Sequence, residues 1–417
     1  MKSFKVNYNR EQALNTCIVL PASKSESNRT LIIRALCDYD FPVDNLSDAA
    51  DTVIMFQLIE KIKGSVYFDI PLNIDVHNAG TVMRFLCALL AVTPGKWHIC
   101  GDERMNRRPV GILIETLRKL GANVSYINKK GFPPLQISGK AIEGGEISID
   151  AGISSQFISA LMLVAPVFKN GLTLHLTGEI VSHPYIRLTT HVMRHFGANV
   201  IMDDRNIFIE SSSYCPASYV IESDWSAASY WYEMAAFSVS AEVKLMNLRK
   251  DSAQGDSVLF EIFKDFGIHT EYHDDHVLLK KVSKPVIASF DYDFTDCPDL
   301  AQTLAVTCAG LGIRARLNGL KTLKIKETDR LTALYDELNQ AGYQCIIEGD
   351  ATLIIESAEN NHIRSCSINT YRDHRMAMSF APLAMLRENV TIDEPGVVAK
   401  SYPGFWDDLK SAGFIVT

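Results

Sequence analysis

Basic residues stand where helices should begin. SKSESNR, NAGTVMR, SSQ and RDHR each lead into an apolar run. They place Lys24, Ser25, Asn28 and Arg29, then Asn78, Gly80, Thr81 and Arg84, at prospective helix N-termini. Ser154, Ser155 and Gln156, and then Asp373, His374 and Arg375, occupy two more. Ser, Asn and Asp are ordinary caps. Lys and Arg oppose the helix dipole, whereas an anion is attracted to the free N–H groups there. One such cation reads equally well as solvated surface; the set together favours an anion site. Gly80 adds a point where backbone can approach a ligand closely.

Further charge lies outside these starts. GDERMNRRPVG carries Arg104, Arg107 and Arg108, and VAKSYPGF carries Lys400. KIKETDRL carries Lys324, Lys326, Glu327, Asp329 and Arg330 within about a turn of a helix start. Alone, that segment would be an exposed i,i+3 paired face. Other chemistries lack their motifs: GxxxxGK[ST], a GxGxxG after a strand, HExxH and GxSxG are all missing. His191 with His195, and His273 with His276, read as surface pairs rather than metal ligands. No metal site is expected.

The elements that must position these residues repeat. KIKGSVYF, RKLGANVSYI, MRHFGANVIM, FKDFGIHTEY, LNQAGYQCII and LKSAGFIVT each join a helix end through glycine to a strand. The glycines are Gly64, Gly121, Gly197, Gly267, Gly342 and Gly413, each expected at a left-handed C′ position. Between them lie six polar clusters that open Ala-, Leu- or Met-rich runs, anchored at Lys24, Gly80, Ser155, Ser226, Asp299 and Arg375. Anchor and following glycine are always 38 to 43 residues apart, a shared phase that single capped helices would not keep. Each unit therefore holds a helix apolar all round, which belongs in a core, plus a more amphipathic helix and several strands. Six units suggest two three-fold domains in an α/β (α+β) protein.

The 417 residues, 47% hydrophobic and 22% charged, fit an ordinary globular protein of two or three domains. The net charge of −8 argues against a surface that binds nucleic acid. No signal peptide is visible, and the apolar stretch 157–167 is far short of a membrane span. The nine cysteines are scattered without a CxxC pair. A cytoplasmic protein with reduced thiols, off the membrane, is expected.

In order, LPASKSESNRTL, HNAGTVMRFL, RMNRRPVG, SSQFISALM, VSHPYI, DWSAASY, PDLAQT, KIKETDRL, YRDHRMAM and AKSYPGF resemble the motifs of the 5-enolpyruvylshikimate-3-phosphate synthase family. They run from about residue 20 to the C-terminus. The resemblance implies an enolpyruvyl transferase fold, two domains of three βαβαββ repeats each. Residues 21–221 would form one domain, and 1–20 with 222–417 the other, with the active site in the cleft between them. It implies a shikimate-pathway enzyme that serves aromatic amino-acid biosynthesis. Its partners would be small anionic substrates, phosphoenolpyruvate and shikimate 3-phosphate, and it would use no cofactor and work as a monomer.

Matched residue by residue, the resemblance assigns shikimate 3-phosphate to Lys24, Ser25, Arg29, Ser154, Ser155, Gln156, Ser182, Tyr185, Asp299 and Lys326. It assigns phosphoenolpyruvate to Lys24, Asn78, Gly80, Arg108, Gln156, Arg330, Arg375 and Lys400. Asp299, Glu327, Lys24 and His374 would be catalytic. The family reaction is addition followed by elimination, so a base must take the hydroxyl proton and an acid must protonate the methylene. Asp299 fits the base and Glu327 the acid, with Lys24 and Lys400 as alternative proton carriers.

Three positions depart from the family pattern: Ala22 replaces Gly, Thr322 replaces Asn, and Phe85 replaces Pro. Thr322 bears on one shikimate contact and Phe85 on the helix that carries Gly80. Glycine rather than alanine at 80 predicts sensitivity to glyphosate. The UDP-N-acetylglucosamine enolpyruvyl transferases share the fold but pair the loop lysine with Asn and use a loop cysteine; here the loop reads KSESNR and RMNRRP has no Cys. A non-catalytic anion-binding repeat protein is disfavoured by the intact Asp299, Glu327 and Lys24.

Overall fold

Polar starts and apolar runs become helices, and the strands between them close six small sheets. The computed structural model describes residues 3–65, 70–152, 154–356 and 365–417. The chain divides into two compact units, Ser23–Ile221 and the chain up to Ala22 together with Glu222–Thr417.

The contiguous unit holds α1 (Lys24–Leu36), α2 (Ala50–Lys63), α3 (Gly80–Val92), α4 (Gly111–Lys119), α5 (Ser155–Val164) and α6 (His183–His195). α1, α3 and α5 pack against one another. In α3 every residue but Thr81 and Val92 is buried, and in α5 every residue but Gln156. A helix apolar on all faces can only be a core helix, which puts α3 and α5 at the centre of the unit; α1 joins them by burying Glu26 to Ile33, polar groups included, and α2, α4 and α6 cover them.

Two four-stranded sheets of this unit follow one βαβαββ pattern. Leu72–Asp75 runs parallel to Gly95–Cys100 across α3. After α4, Asn123–Tyr126 and Leu135–Gly139 complete the sheet as an antiparallel hairpin. Gly145–Asp150, Leu172–Thr177, Val200–Met202 and Asn206–Ile209 repeat the arrangement around α5 and α6. The third position is a short parallel pair, Val43–Asp44 with Tyr219–Val220. The strand expected after Gly64 falls on residues 66–69, outside the described residues.

The split unit holds α7 (Trp225–Phe237), α8 (Leu259–Ile262), α9 (Ala301–Leu311), α10 (Arg330–Gln340), α11 (His374–Phe380) and α12 (Phe405–Ser411). Only Ser226 of α7 and none of α11 escapes burial, and one continuous apolar core surrounds them. Three four-stranded sheets enclose this core. The N-terminus supplies a strand to two of them. Leu14–Ile18 pairs in parallel with Ala241–Met246, and Ser3–Asn7 pairs antiparallel with Val390–Asp393 and Ile415–Val416.

Five repeat glycines have left-handed φ, from 81° at Gly267 to 105° at Gly121; four sit just past a helix, whereas Gly267 follows α8 only after the turn 263–266, because that helix stops early at Ile262. There a side chain would be strained. Gly64 differs: it is itself the C-cap of α2, with φ −76° and ψ −5°, so the helix ends there without a left-handed residue. All nine cysteines are free thiols. Among the described residues no helix is long and apolar enough to cross a membrane.

Candidate functional site

The predicted residues fall into two groups, one on each unit. In the contiguous unit the helix starts are those of the core helices. Ser23 caps α1 by accepting from Glu26 N at 3.4 Å. Lys24, next in line, reaches Asp51 Oδ2 at 3.3 Å in the first turn of α2. Ser154 caps α5 by accepting from Gln156 N at 3.3 Å, and Gln156 Nε2 donates to Thr81 Oγ1 at 3.2 Å, which ties the starts of α5 and α3 together.

Arg29 is turned into the protein. Its Nε donates to Thr189 Oγ1 at 2.8 Å and its Nη1 to Ser25 O at 2.7 Å. Nη2 donates to Ser159 Oγ at 3.2 Å and to Tyr185 O at 3.1 Å. The guanidinium stands 5.5 Å from the centre of the Phe85 ring. Burial lowers its pKa to about 10, with Tyr185 and Glu26 acting the other way. Four of its five N–H donors are thus engaged by the protein. Its hold on Ser25 and Tyr185 fixes two predicted ligands, and α6 enters through Ser182, whose φ of 56° and ψ of 40° are left-handed for a non-glycine residue. Such backbone persists only where surroundings enforce it, and it clusters at sites.

At the start of α3 two guanidiniums converge. A Cβ built on Gly80 would overlap both Arg108 and Arg84. Arg84 is buried and lies 5.7 Å from the Phe157 ring centre. Arg108 Nε is buried and makes no hydrogen bond in the protein. α3 carries no side-chain cap, so the free N–H groups of its first turn face the same place. Two cations at a positive helix end repel one another unless an anion joins them. Asn78 flanks this start on the exposed side.

In the split unit the second group centres on Arg330, whose side chain is 2% exposed. Nε donates to Asp373 Oδ2 at 2.7 Å, Nη1 to Asp299 Oδ1 at 2.9 Å, and Nη2 to Glu327 Oε2 at 2.8 Å. Burial works against its charge, but Asp373, Glu327 and Asp299 together raise its pKa. Asp299 also meets Arg375 Nη2 at 2.9 Å and Lys326 Nζ at 3.9 Å. Glu327 also meets Lys400 Nζ at 3.5 Å. Burial lowers the pKa of Lys326, opposed by Asp299. His374 is 1% exposed, with Nδ1 3.7 Å from Asp373 Oδ1.

Local sequence explains this gathering. Asp299 sits in the 3₁₀ turn Pro298–Leu300 that leads into α9. Asp329 caps α10, so Arg330 is its first residue. Asp373 caps α11 through Arg375 N at 2.9 Å and grips Arg330 as well. Lys326, Arg330, Arg375 and Lys400 thus gather around Asp299, Glu327 and Asp373. Asp299 and Glu327 stay partly accessible, at 17% and 14%. An accessible carboxylate among fixed cations can exchange a proton with a ligand they hold.

Sequence reasoning read Asp373 only as a cap and missed Asp51; both pair with residues distant along the chain. The hydroxyl of Thr322, one of the departures, is buried without a hydrogen-bond partner. Among the described residues no cluster of three or more His, Cys, Asp or Glu side chains could hold a metal ion.

A family model described as EPSP synthase (3-phosphoshikimate 1-carboxyvinyltransferase) matches residues 8–409. A 3-phosphoshikimate 1-carboxyvinyltransferase of Bacteroides fragilis is 48% identical over 402 residues, 96% of each chain. One from Tolumonas auensis is 33% identical over 413 residues, 94% of this chain and 95% of the relative. The EPSP synthase structure from Acinetobacter baumannii superposes with a TM-score of 0.81 over 100% of both chains, at 21% identity, and so shares the fold.

Proposed function

The chain belongs to the EPSP synthase (3-phosphoshikimate 1-carboxyvinyltransferase) family, and we propose from this how its two residue groups divide the work. The reaction is transfer of the enolpyruvyl group of phosphoenolpyruvate to shikimate 3-phosphate, in aromatic amino-acid biosynthesis. The observation that carries the division of labour is the set of cations around Asp299 and Glu327: Arg330, Arg375, Lys326 and Lys400.

Shikimate 3-phosphate is held by Lys24, Ser25, Ser154, Ser155, Gln156, Ser182, Tyr185, Asp299 and Lys326. Arg29 serves the same substrate mainly by fixing Ser25 and Tyr185. Phosphoenolpyruvate is held by Lys24, Asn78, Gly80, Arg108, Gln156, Arg330, Arg375 and Lys400. Both residue groups act on one substrate pair, with 21–221 as one working domain and 1–20 with 222–417 as the other. Arg suits these anions because its fork binds carboxylate or phosphate in two places at once.

The 5-hydroxyl of shikimate 3-phosphate adds to C2 of phosphoenolpyruvate. Asp299 takes the hydroxyl proton, and Glu327 gives a proton to C3, which becomes a methyl group. Lys24 and Lys400 are the alternative donors. In the second step the C2–O bond to phosphate breaks, C3 returns a proton, and the vinyl ether and inorganic phosphate leave. Lys24, Arg108, Arg330, Arg375 and Lys400 offset the charge on the departing phosphate, with His374 beside it. The enzyme works as a cytoplasmic monomer without a cofactor and is sensitive to glyphosate.

The test is phosphate release by the purified protein given both substrates under reducing conditions. Release requiring both is expected. No release, or release with UDP-N-acetylglucosamine in place of shikimate 3-phosphate, would overturn the reading. Asp299→Ala and Lys24→Met should each lower turnover by about 10²-fold or more with the fold intact.

A further inference from the structure

Arg330 and Glu337 stand two turns apart in α10 and so share one face of that helix. The face runs beside the segment 367–375, which leads from the strand Cys366–Ile368 into α11. Helix and segment meet at three points, in reverse order. Arg330 Nε donates to Asp373 Oδ2 at 2.7 Å. Glu337 Oε2 accepts from Asn369 N at 3.1 Å, and its Oε1 accepts from the Tyr371 hydroxyl at 2.9 Å. Gln340 Nε2 donates to Ser367 O at 3.1 Å. Glu337 is 2% exposed, and none of the binding assignments uses it or Tyr371.

The segment is one that has to be held. Tyr371 and Arg372 are consecutive non-glycine residues with left-handed φ, 52° and 56°. Such backbone persists only where its surroundings enforce it. Asn369 Oδ1 accepts from Tyr371 N at 2.9 Å, and Thr370 O accepts from Asp373 N at 2.8 Å, which closes the turn on itself. Glu337 then takes its entry through Asn369 N and its tip through the Tyr371 hydroxyl. Its exit is Asp373, which caps α11 by accepting from Arg375 N at 2.9 Å. The Arg375 side chain goes on to meet Asp299 Oδ2 at 2.9 Å.

We infer that Glu337 and Tyr371 are positioning residues for phosphoenolpyruvate: their hydrogen bond fixes the strained turn 369–373 on α10 and so sets where Arg375 stands relative to Arg330. This rests on the reading of Arg330 and Arg375 as ligands of that substrate. Arg330 begins the helix that carries Glu337, and Arg375 lies just beyond the turn that Glu337 holds. The two cations thus belong to two elements, which the Glu337 contacts join two helical turns below Arg330. Guanidiniums that bind one anion together must keep a fixed spacing. A turn released at its tip relaxes toward ordinary φ, and any change at 371–372 passes directly into the first turn of α11. No residue assigned to shikimate 3-phosphate lies on this turn, so binding of that substrate is spared.

The experiment measures kcat and both KM values by phosphate release, beside thermal unfolding, for the wild type, Tyr371→Phe, Glu337→Leu and Glu337→Gln. Tyr371→Phe removes the hydroxyl alone and should raise KM for phosphoenolpyruvate about tenfold, the order of one hydrogen bond to a carboxylate. KM for shikimate 3-phosphate should hold within about twofold. Glu337→Leu removes both contacts and should raise KM for phosphoenolpyruvate further. Glu337→Gln keeps both, because its oxygen accepts from Asn369 N while its amide donates to the Tyr371 oxygen; it should stay within about threefold of the wild type. A merely structural role would lower the thermal midpoint and leave both KM values of the folded enzyme alone. An unmoved KM for phosphoenolpyruvate in Tyr371→Phe, an equal rise in both KM values, or a Glu337→Gln as impaired as Glu337→Leu overturns the inference. Tyr371→Phe carries the test should Glu337→Leu fail to fold. Arg375→Ala separates the premises: an unchanged KM for phosphoenolpyruvate there overturns the ligand assignment itself, whereas a raised one beside an unmoved Tyr371→Phe overturns this inference alone.

Discussion

Asp373 grips Arg330 through both carboxylate oxygens, 2.7 Å from Nε and 3.4 Å from Nη2, with both side chains buried. Arg330 is thereby kept from collapsing wholly onto Asp299 and Glu327. Removing one partner of a buried pair leaves an uncompensated charge and costs about 3–5 kcal/mol. Asp373→Ala should lower the thermal midpoint clearly. Asp373→Asn, which keeps the shape and the cap of α11, should lose about 10²-fold in kcat/KM for phosphoenolpyruvate with a smaller thermal loss. Steady-state kinetics beside thermal unfolding checks both.

Gly80 leaves room for two guanidiniums. An alanine methyl would overlap Arg108 and Arg84, which must then swing aside. Overpacking of this kind costs about 1–3 kcal/mol, and each 1.4 kcal/mol is tenfold in affinity. Gly80→Ala should raise KM for phosphoenolpyruvate about tenfold or more and leave shikimate 3-phosphate binding within about twofold. A titration with shikimate 3-phosphate alone makes the comparison.

Lys24 is oriented by Asp51, whose side chain is 4% exposed, while Lys24 is 17% exposed. A partly exposed pair at 3.3 Å is worth about 0.2–1 kcal/mol. Asp51→Asn should therefore cost up to about fivefold in kcat/KM, far less than Lys24→Met, with unchanged stability. A loss as large as that of Lys24→Met would mean that Asp51 itself meets the substrates.

Glu233 lies fully buried in α7, and neither carboxylate oxygen has a hydrogen-bond partner. Burial raises its pKa well above the usual value, whereas unfolded it titrates near about 4.3. Above that pH the folded chain keeps a proton that the unfolded chain has lost, so this group's contribution to stability falls as pH rises. Glu233→Gln should flatten that fall. Glu233→Met should raise the thermal midpoint by an amount that grows from pH 5 to pH 8. Midpoints at the two pH values test the sign.

Helix starts were legible because capping is local. Lys24, Gly80 and Ser155 are the first residues of α1, α3 and α5, and Arg375 lies one residue inside α11. The helix ends were legible for the same reason, except at Gly64, where α2 stops without a left-handed residue, and at Gly267, which α8 does not reach. Partners across the chain were not. Asp51 is 27 residues from Lys24 and Asp373 is 43 from Arg330, and no local pattern links them. Arg29 shows the converse: its position in the motif suggested a ligand contact, and tertiary packing engages most of its donors within the protein.

The strand Ser3–Asn7 pairs with Val390–Asp393 and with Ile415–Val416. During synthesis the first residues to emerge must therefore wait for nearly the last. At ~5–20 residues per second, that wait lasts roughly 20–80 s. Among the described residues the strands of Ser23–Ile221 pair only with one another, so this unit can finish pairing while the second half is still being made. Meanwhile Ser3–Asn7 and Leu14–Ile18 remain unpaired edges on the nascent chain. This protein thus depends on whatever keeps such edges apart on the ribosome, a demand that refolding of the complete chain in vitro does not make.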